Sequence, residues 1–282
     1  MILIDYNGLA VGTVVMNKME ASEDMIRHMI LNQIRMYNKK FRDEYGQVVI
    51  CCEGRSWRKE FFSEYKANRK KTRDTSSLDW NEVFRILNTV QEEIEQNFPY
   101  KVVQVHTAEA DDIIGALAEY TNEFGNNEPV MIISNDKDFL QLQKYSNVKQ
   151  YSPMKKKLIT EPHPHKYLLE HICKGDSGDG IPNINSADRT FVDGGRQTPV
   201  RQKLLDEVVA NYENLEAVLT TEQLRNFHRN RRLIDLGSMN EAVREEIINS
   251  YESVKTAPKM KVLNYLVKKR LKQLIECVEE FY

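Results

Sequence analysis

Acidic residues follow the ends of three short apolar runs, and this pattern constrains the fold more than any other feature of the chain. These acids are Asp5 after residues 2–4, Glu53 after 48–52, and Asp136 with Asp138 after 130–133. Buried parallel strands are typically short apolar runs, and their carboxyl ends face the crevice where open α/β sheets bind ligands. Neighbouring carboxylates repel one another and need a cation, and hard oxygen ligands favour Mg²⁺ or Mn²⁺. The sequence therefore predicts a divalent-metal site.

Two further groups of acids have a local explanation and a functional one. Glu109, Asp111 and Asp112 open a predicted helix, and Asp176 and Asp179 lie in a glycine-rich loop. Acids in a first helical turn complement the helix dipole, and an aspartate in a loop often caps a turn. Their positions at a helix start and at a predicted domain junction favour a role in the same site.

Apolar periodicity predicts an α/β part followed by helices. Predicted strands cover residues 2–4, 48–52, 101–105, 130–133, 148–151 and 157–160, and predicted helices cover 24–41, 78–97, 108–124, 139–144, 167–173, 199–211, 214–219, 222–236, 241–251 and 260–280. Strands joined by helices pair in parallel. We expect a largely parallel central sheet flanked by helices in residues 1–180, and an all-helical domain in 181–282. The polar, basic segment 54–77 is predicted to be mobile.

Composition excludes several classes of protein. The 282 residues contain 41% hydrophobic residues, which suffices for about two packed domains. No apolar run approaches the roughly 20 residues of a membrane span, and the short first run is interrupted by Asp5, which disfavours a signal peptide. The four cysteines have no metal-ligand spacing, and the sequence favours reduced thiols in a cytoplasmic protein. We assign His163, His165 and His171 to plain surface positions.

Charge is segregated along the chain although its net value is only −2. Basic residues concentrate in the ranges 55–73, 155–157, 225–232 and 259–272. Such runs also occur on solvated helix faces. Once cations offset the acids, however, these runs leave a positive surface that suits a nucleic acid.

The order of these motifs resembles the flap endonuclease and 5′→3′ exonuclease family over nearly the whole chain. The motifs are Asp5 in the first strand, Trp57-Arg58 and Tyr65-Lys66, Glu109-Ala-Asp-Asp, Ile133-Ser-Asn-Asp-Lys-Asp-Phe, and Gly175-Asp-Ser-Gly-Asp. The resemblance implies a PIN/5′-nuclease-like α/β domain, with a helix–turn–helix-like element for DNA binding in the helical part.

The resemblance also implies a role for each motif residue. Asp5, Glu109 and Asp111 would hold one metal ion together with Glu53, while Asp136, Asp138 and Asp176 would hold or orient a second ion, with Asp112 and Asp179 in support. Arg58 and Lys66 would contact the scissile phosphate at the base of a basic arch (residues 54–77), where Lys59, Arg69, Lys70 and Lys71 would bind nucleic acid. Two metal ions about 4 Å apart can activate water and stabilise both oxygens of an in-line displacement.

Two positions depart from the family pattern. Glu53 stands where the family has an aspartate, so its carboxylate reaches about one methylene further, and we expect activity with an altered metal preference. The segment after Gly180 lacks the glycines with which the family brings backbone amides against phosphates.

The function implied by the resemblance is a Mg²⁺-dependent 5′→3′ exonuclease and flap endonuclease, in which Mn²⁺ can substitute. It would remove RNA primers and adjacent DNA from lagging-strand fragments in the cytoplasm of a phage-infected bacterium. The expected partners are RNA–DNA hybrids, duplexes with a 5′ end, and 5′-flap or fork DNA. A single-stranded-DNA binding protein would dock on the helical domain, and contact with a sliding clamp stays open. A monomer is expected.

Two other readings compete with this one. Acidic-pocket ribonucleases of a related fold cleave single-stranded RNA, but such domains are shorter and lack a long helical tail. A non-catalytic protein that binds DNA junctions would have lost the metal-binding acids, whereas the one altered position here remains acidic.

Overall fold

The computed structural model describes residues 1–16, 22–69, 73, 75–76, 78–123, 125 and 127–282, and a six-stranded sheet forms its centre. The strands are β1 Ile2–Asp5, β2 Val48–Cys52, β3 Lys101–Gln104, β4 Val130–Ile133, β5 Val148–Ser152 and β6 Lys157–Ile159. Their order is β3-β2-β1-β4-β5-β6, and only the β5–β6 pair is antiparallel. The predicted largely parallel sheet is confirmed. Its apolar runs form central strands since they are short and buried on both faces.

Helices connect the strands and form the second half of the chain. They are α1 Tyr6–Met16, α2 Glu23–Tyr45, α3 Arg58–Phe61, α4 Trp80–Asn97, α5 Ala110–Glu123, α6 Pro164–Lys174, α7 Gln202–Ala210, α8 Thr221–Ile234, α9 Glu241–Ser253, α10 Met260–Lys268 and α11 Lys272–Ile275, with 3₁₀ turns at Asp138–Lys144, Tyr212–Ala217, Leu236–Ser238 and Val278–Phe281. Local signals set several boundaries: the Ser22 hydroxyl caps α2, and Gly46, at φ 75°, ends it.

The sheet is covered on both faces, which fixes the orientation of its strands. Ile2 and Ile4 of β1 lie in a core built with α1, α2, α4 and residues 262–281, whereas Leu3 lies in the opposite core with α5 and residues 236–247. Side chains alternate between the faces of a strand, so every residue of β1 is buried. The ends of the strands are left for chemistry, and in open α/β sheets it is the carboxyl ends that bind ligands.

A third core joins α6, α7 and α8 to the segment that follows β2. Phe62 and Tyr65, 5% and 3% exposed, pack there with Leu169, Leu205 and Phe227. The predicted division at residue 180 stays a proposal, since residues 236–281 pack on the sheet while this third core lies beside it.

Two details differ from the sequence prediction. Helix α1 was not predicted, because its eleven residues are apolar around most of the helix and contain two glycines. The single helix predicted for 260–280 is broken at Arg270, whose φ of 56° is left-handed. The first part of the segment 54–77 is packed into the protein, where Trp57, Phe62 and Tyr65 are buried, and the mobility of the segment stays a prediction.

Among the described residues, no helix combines the length and the apolar character that a membrane crossing requires.

Candidate active site

Adjacent strands bring the predicted acids to one edge of the sheet. β1 lies between β2 and β4, so Asp5 ends beside Glu53 on one side and near Asp136 on the other. Asp5 is in register with Cys51, the second-last residue of β2. The site therefore follows from the strand order, which sequence alone left open.

Asp5 is held in one orientation at the floor of the site. Its Oδ1 accepts a hydrogen bond from the Gly8 amide at 2.8 Å, and its Oδ2 accepts one from the Ser134 hydroxyl at 2.9 Å. A Cβ at position 8 would lie only 2.1 Å from Asp5 Oδ2, so glycine is required there. Burial raises the pKa of Asp5 despite these two hydrogen bonds. A nearby cation is the natural compensation for such a carboxylate.

The start of α5 supplies two more carboxylates to the same floor. Glu109 accepts hydrogen bonds from Lys66 Nζ at 2.5 Å and from the Tyr65 hydroxyl at 2.9 Å. Burial acts to raise the pKa of Glu109, but the Lys66 and Arg58 cations outweigh it and lower that pKa. Burial, together with the Asp5 carboxylate and against the opposing Lys66 charge, raises the pKa of Asp111 well above its ordinary value.

Glu53 reaches the floor from the end of β2. Its Oε2 accepts a long 3.4 Å hydrogen bond from the Ala110 amide. Burial, opposed by Lys66 and reinforced by Glu109, raises the pKa of Glu53 to about 7. Gly54 permits the close turn that follows, since a Cβ there would lie 2.0 Å from the Val105 carbonyl oxygen.

These groups line two adjoining hollows of about 710 and 440 Å³, here called the acidic cleft. The hollows share Asp5, Gly8 and Asp136. The larger is also lined by Glu53, Lys66, Arg69, Glu109 and Asp111, and the smaller by Asp138, His171 and Asp176. Seven of the nine predicted metal-binding acids thus face one open volume.

Asp138, Asp176 and His171 form a compact cluster in the smaller hollow. One ligand atom from each lies within 4.8 Å of the others, with His171 Nδ1 3.4 Å from Asp138 and Nε2 3.6 Å from Asp176. Burial and the neighbouring Asp136 raise the pKa of Asp138 to about 7. Burial acts to lower the pKa of His171, but its bond to Asp176 and the Asp138 charge raise it overall.

The surface assignment of His171 from sequence was wrong. Its side chain is only 15% exposed, and it projects from α6 toward the β4 loop. His163 and His165 are exposed, as expected. Proximity to Asp138 depends on the packing of α6, and no spacing in the sequence reveals it.

Arg58 does not line the cleft, and Asp112, which was given a supporting role beside the second ion, pairs with Arg58 behind Glu109 instead. Arg58 is 2% exposed, and it donates to the Leu233 carbonyl at 2.8 Å and to Glu109 Oε2 at 3.1 Å. Asp112 is fully buried and faces Arg58 at 2.8 Å and the Glu109 amide at 3.0 Å. Since its donors are taken up inside the protein, we interpret Arg58 as support of Glu109 rather than as a contact to the phosphate, and Asp112 as its buried partner.

Lys66 keeps its predicted place in the cleft. It has a left-handed φ of 56°, uncommon outside glycine, and its amide donates to the Asp179 carbonyl at 2.7 Å. Its ammonium lies 3.7 Å from the Asp179 carboxylate, which also lies 3.1 Å from the Tyr65 hydroxyl oxygen and pairs with Arg69. Asp179 therefore orients the Lys66 ammonium and is not among the acids that line the cleft.

The remaining basic positions are only partly described. Arg69 lines the larger hollow, and Lys59 is exposed on α3 outside it. Lys70 and Lys71 lie outside the described residues, so their predicted contact with nucleic acid stays a prediction.

The donor set fits divalent metal ions. Five carboxylates of the larger hollow face the Lys66 ammonium, with Arg69 and the exposed Arg73 at its rim, and three of the five have raised pKa values (Asp5, Glu53 and Asp111). Crowded oxygen donors of this kind bind hard cations such as Mg²⁺ or Mn²⁺.

Two family models match consecutive parts of the chain. The model described as "5'-3' exonuclease, N-terminal resolvase-like domain" matches residues 1–168, and the one described as "T4 RNase H, C terminal" matches residues 164–281. The chain belongs to the 5′→3′ exonuclease family. It is therefore an enzyme of the 5′-nuclease class.

Curated relatives agree with this placement. The chain is 32% identical to the ribonuclease H of Enterobacteria phage T4, over 99% of this chain and 95% of that protein. It is also 30% identical to a 5′-3′ exonuclease of Buchnera aphidicola, over 52% of this chain and 50% of that protein. The first likeness extends through the helical part, and the second spans about half of each chain.

Solved structures share the fold. The 5′-exonuclease of phage T5 with bound zinc has a TM-score of 0.62 at 15% identity, and covers 90% of this chain and 98% of its own. A T5 flap endonuclease in a complex with DNA and metal ions has a TM-score of 0.59 at 16% identity, with 99% of this chain and 98% of its own covered. At this identity the likeness shows the fold alone.

Proposed function

We propose that this enzyme is a Mg²⁺-dependent 5′→3′ exonuclease and flap endonuclease that removes RNA primers and adjacent DNA during phage replication in an infected bacterium. The observation that carries the proposal is the acidic cleft: seven carboxylates converge on one volume beside the Lys66 ammonium. The likeness to a phage T4 protein named ribonuclease H supports the choice of RNA–DNA hybrids as substrates.

The carboxylates divide into two ligand groups. Asp5, Glu53, Glu109 and Asp111 would hold one ion in the larger hollow, and Asp138 with Asp176 would hold another in the smaller, with Asp136 lining both. Bound divalent ions supply an activated water and neutralise charge that develops on the phosphate.

Side chains of the protein position the phosphate and the ligands. The Lys66 ammonium, 10% exposed, faces the cleft and would stabilise negative charge on the reacting phosphate. Tyr65 and Arg58 each bond to Glu109 Oε2 and fix its orientation. Arg58 is thus a positioning residue.

His171 bears on the choice of metal. A nitrogen donor beside two carboxylates suits Mn²⁺ better than Mg²⁺, because Mg²⁺ prefers oxygen ligands alone. We propose Mg²⁺ as the working ion and Mn²⁺ as an effective substitute.

The competing functions fit the molecule less well. A ribonuclease for single-stranded RNA has no use for the helical part, whereas here α6–α8 build a core with the Trp57–Lys66 segment beside the cleft. A non-catalytic junction binder has no use for crowded carboxylates with raised pKa values, which are costly without a cation.

A cleavage assay separates these possibilities. The protein is incubated with a 5′-labelled RNA–DNA hybrid, a 5′-flap duplex and single-stranded RNA, each with Mg²⁺ or chelator. We expect short 5′ products from the first two substrates, dependent on Mg²⁺ and lost in Asp136→Asn. Asp43→Asn, an exposed aspartate near the end of α2, is the matched control and should cleave normally. Binding without cleavage, or cleavage of single-stranded RNA alone, contradicts the proposal.

A protein partner is proposed on α10. Met260, Leu263 and Val267 are 76%, 42% and 56% exposed and recur at helical spacing, so they form an apolar stripe on one face. Lysines of the run 259–272 are its neighbours in sequence, and we propose the stripe as the docking face for a single-stranded-DNA binding protein. Leu263→Asp should abolish co-sedimentation with that protein and leave cleavage of a short hybrid unchanged; retained co-sedimentation would exclude this face.

A further inference from the structure

A separate pocket of about 400 Å³ lies beside the acidic cleft, at the same edge of the sheet. We call it the side pocket. It is formed by the loop after β2, by α3, by the loop after β3 and by the α8–α9 junction, and it is lined by Arg55, Trp57, Glu60, Phe61, His106, Thr107, Arg232, Asn240 and Val243. None of these residues carries a role in the proposed reaction.

The side pocket is positively charged. Arg55 and Arg232 are both exposed, and no ion pair involves either guanidinium within the described parts of the chain. Glu60 is the one acid in the described lining. Two arginines without carboxylate partners present forked donors that suit a phosphate.

An aromatic surface accompanies this charge. The Phe61 ring is 40% exposed, and the Arg232 guanidinium lies 4.1 Å from its centroid. Trp57, 9% exposed, supplies a second ring in the lining. Exposed aromatic rings and guanidinium planes are the surfaces on which unpaired bases stack.

The side pocket and the acidic cleft are immediate neighbours. Glu53 lines the cleft and Arg55 lines the pocket, and two residues of chain span at most about 7 Å. The Arg58 guanidinium contacts a lining residue of each, since it lies 4.7 Å from the centroid of the Trp57 ring and donates to Glu109. A strand with one phosphate in the cleft reaches the pocket within a few nucleotides.

We propose that the side pocket binds one nucleotide of an unpaired segment of the substrate strand, with its base on Phe61 and its phosphate between Arg55 and Arg232. The proposal rests on the proposed function, because it takes the substrate to be a nucleic acid. A volume of about 400 Å³ lies within the range of sites for small ligands. The pocket anchors the strand and leaves bond cleavage to the acidic cleft.

The test measures binding in chelator, so it does not depend on cleavage. A fluorescent single-stranded oligonucleotide is titrated against Arg55→Ala, Arg232→Ala and Phe61→Ala by anisotropy at several salt concentrations. We expect each arginine variant to lower the slope of log affinity against log salt by about one. We expect Phe61→Ala to weaken binding about ten-fold, and Phe61→Tyr, which keeps the ring, to restore it.

Arg42→Ala is the matched control, since Arg42 is an exposed arginine near the end of α2, toward the opposite edge of the sheet. Variants at 55 and 232 that bind like the Arg42 variant overturn the proposal. Photocrosslinking with a 5-iodouracil oligonucleotide gives an independent result. A crosslink to Trp57 or Phe61 supports the pocket, and crosslinks confined to the acidic cleft contradict it. If the wild-type protein bound the oligonucleotide normally but cleaved no substrate in Mg²⁺, that result would instead count against the proposed function.

Discussion

Gly8→Ala should lower turnover about 100-fold although alanine is the better helix former. Gly8 lies in the first turn of α1, and its amide donates to Asp5 Oδ1 at 2.8 Å. An added Cβ would lie 2.1 Å from Asp5 Oδ2 and 2.7 Å from Cγ, closer than carbon and oxygen atoms approach. The Asp5 carboxylate must therefore swing away by about 1 Å, a displacement that can lower turnover about 100-fold.

The effect on stability should be small by comparison. The swing costs the hydrogen bonds from Gly8 and Ser134, about 1 kcal/mol each, while alanine in a helix contributes about 1 kcal/mol in return. We therefore expect a net loss of about 1 kcal/mol in the free energy of unfolding. A folded protein with a misplaced ligand is the expected product.

Gly12→Ala is the control in the same helix, because nothing lies within 4 Å of a Cβ at that position. It should stabilise the protein by about 0.5–1 kcal/mol and leave turnover unchanged. Urea unfolding and steady-state cleavage of a 5′-flap duplex measure both quantities. If Gly8→Ala matched Gly12→Ala in turnover and metal dependence, the reasoning that Asp5 is a fixed metal ligand would be refuted.

Further predictions concern the metal ions and the stability of the fold. Glu53→Asp should keep activity while shifting the half-saturating Mg²⁺ concentration about ten-fold; unchanged turnover and metal dependence would exclude the preference. His171→Asn should weaken Mn²⁺ binding more than Mg²⁺ binding by calorimetry, and equal losses would remove His171 from the ligand set. Arg27 is 1% exposed and pairs with three carboxylates, so Arg27→Met should lower the free energy of unfolding by about 3 kcal/mol. Arg85→Met, which removes an exposed pair, should lower it by at most about 1 kcal/mol, and similar losses in the two variants would contradict this prediction. Burial acts to raise the pKa of Glu93, but Arg27 lowers it overall, so wild type should be more stable than Glu93→Gln at neutral pH and lose that advantage as pH falls through the lowered pKa. A pH-independent difference in unfolding would contradict the last prediction.

Buried strands and capped helices were predictable because their signals are local. The bounds predicted for the strands at 48–52 and 130–133 agree with the structure at every residue, and both strands are fully buried. The parallel arrangement followed from the helices between them. Helix α1 was not predicted because an apolar helix with two glycines has little periodicity. The break at Arg270 was not predicted because a left-handed residue other than glycine has no sequence signal.

The site was predictable as a set of acids and not as a network. Strand ends indicated where Asp5 and Asp136 would meet. The burial of Arg58 depends on the Leu233 carbonyl, 175 residues away, and the approach of His171 to Asp138 depends on how α6 packs. Contacts of this range are set by tertiary structure, and a single sequence does not reveal them.

The most direct test of the two metal sites is to soak a crystal of the protein in Mn²⁺ and to measure its anomalous scattering. We expect two peaks in the acidic cleft, one among Asp5, Glu109 and Asp111 and the other between Asp138 and Asp176, both absent from Asp136→Asn crystals or strongly reduced there. A cleft without anomalous density at saturating Mn²⁺, or peaks only at other acids of the surface, would contradict this expectation.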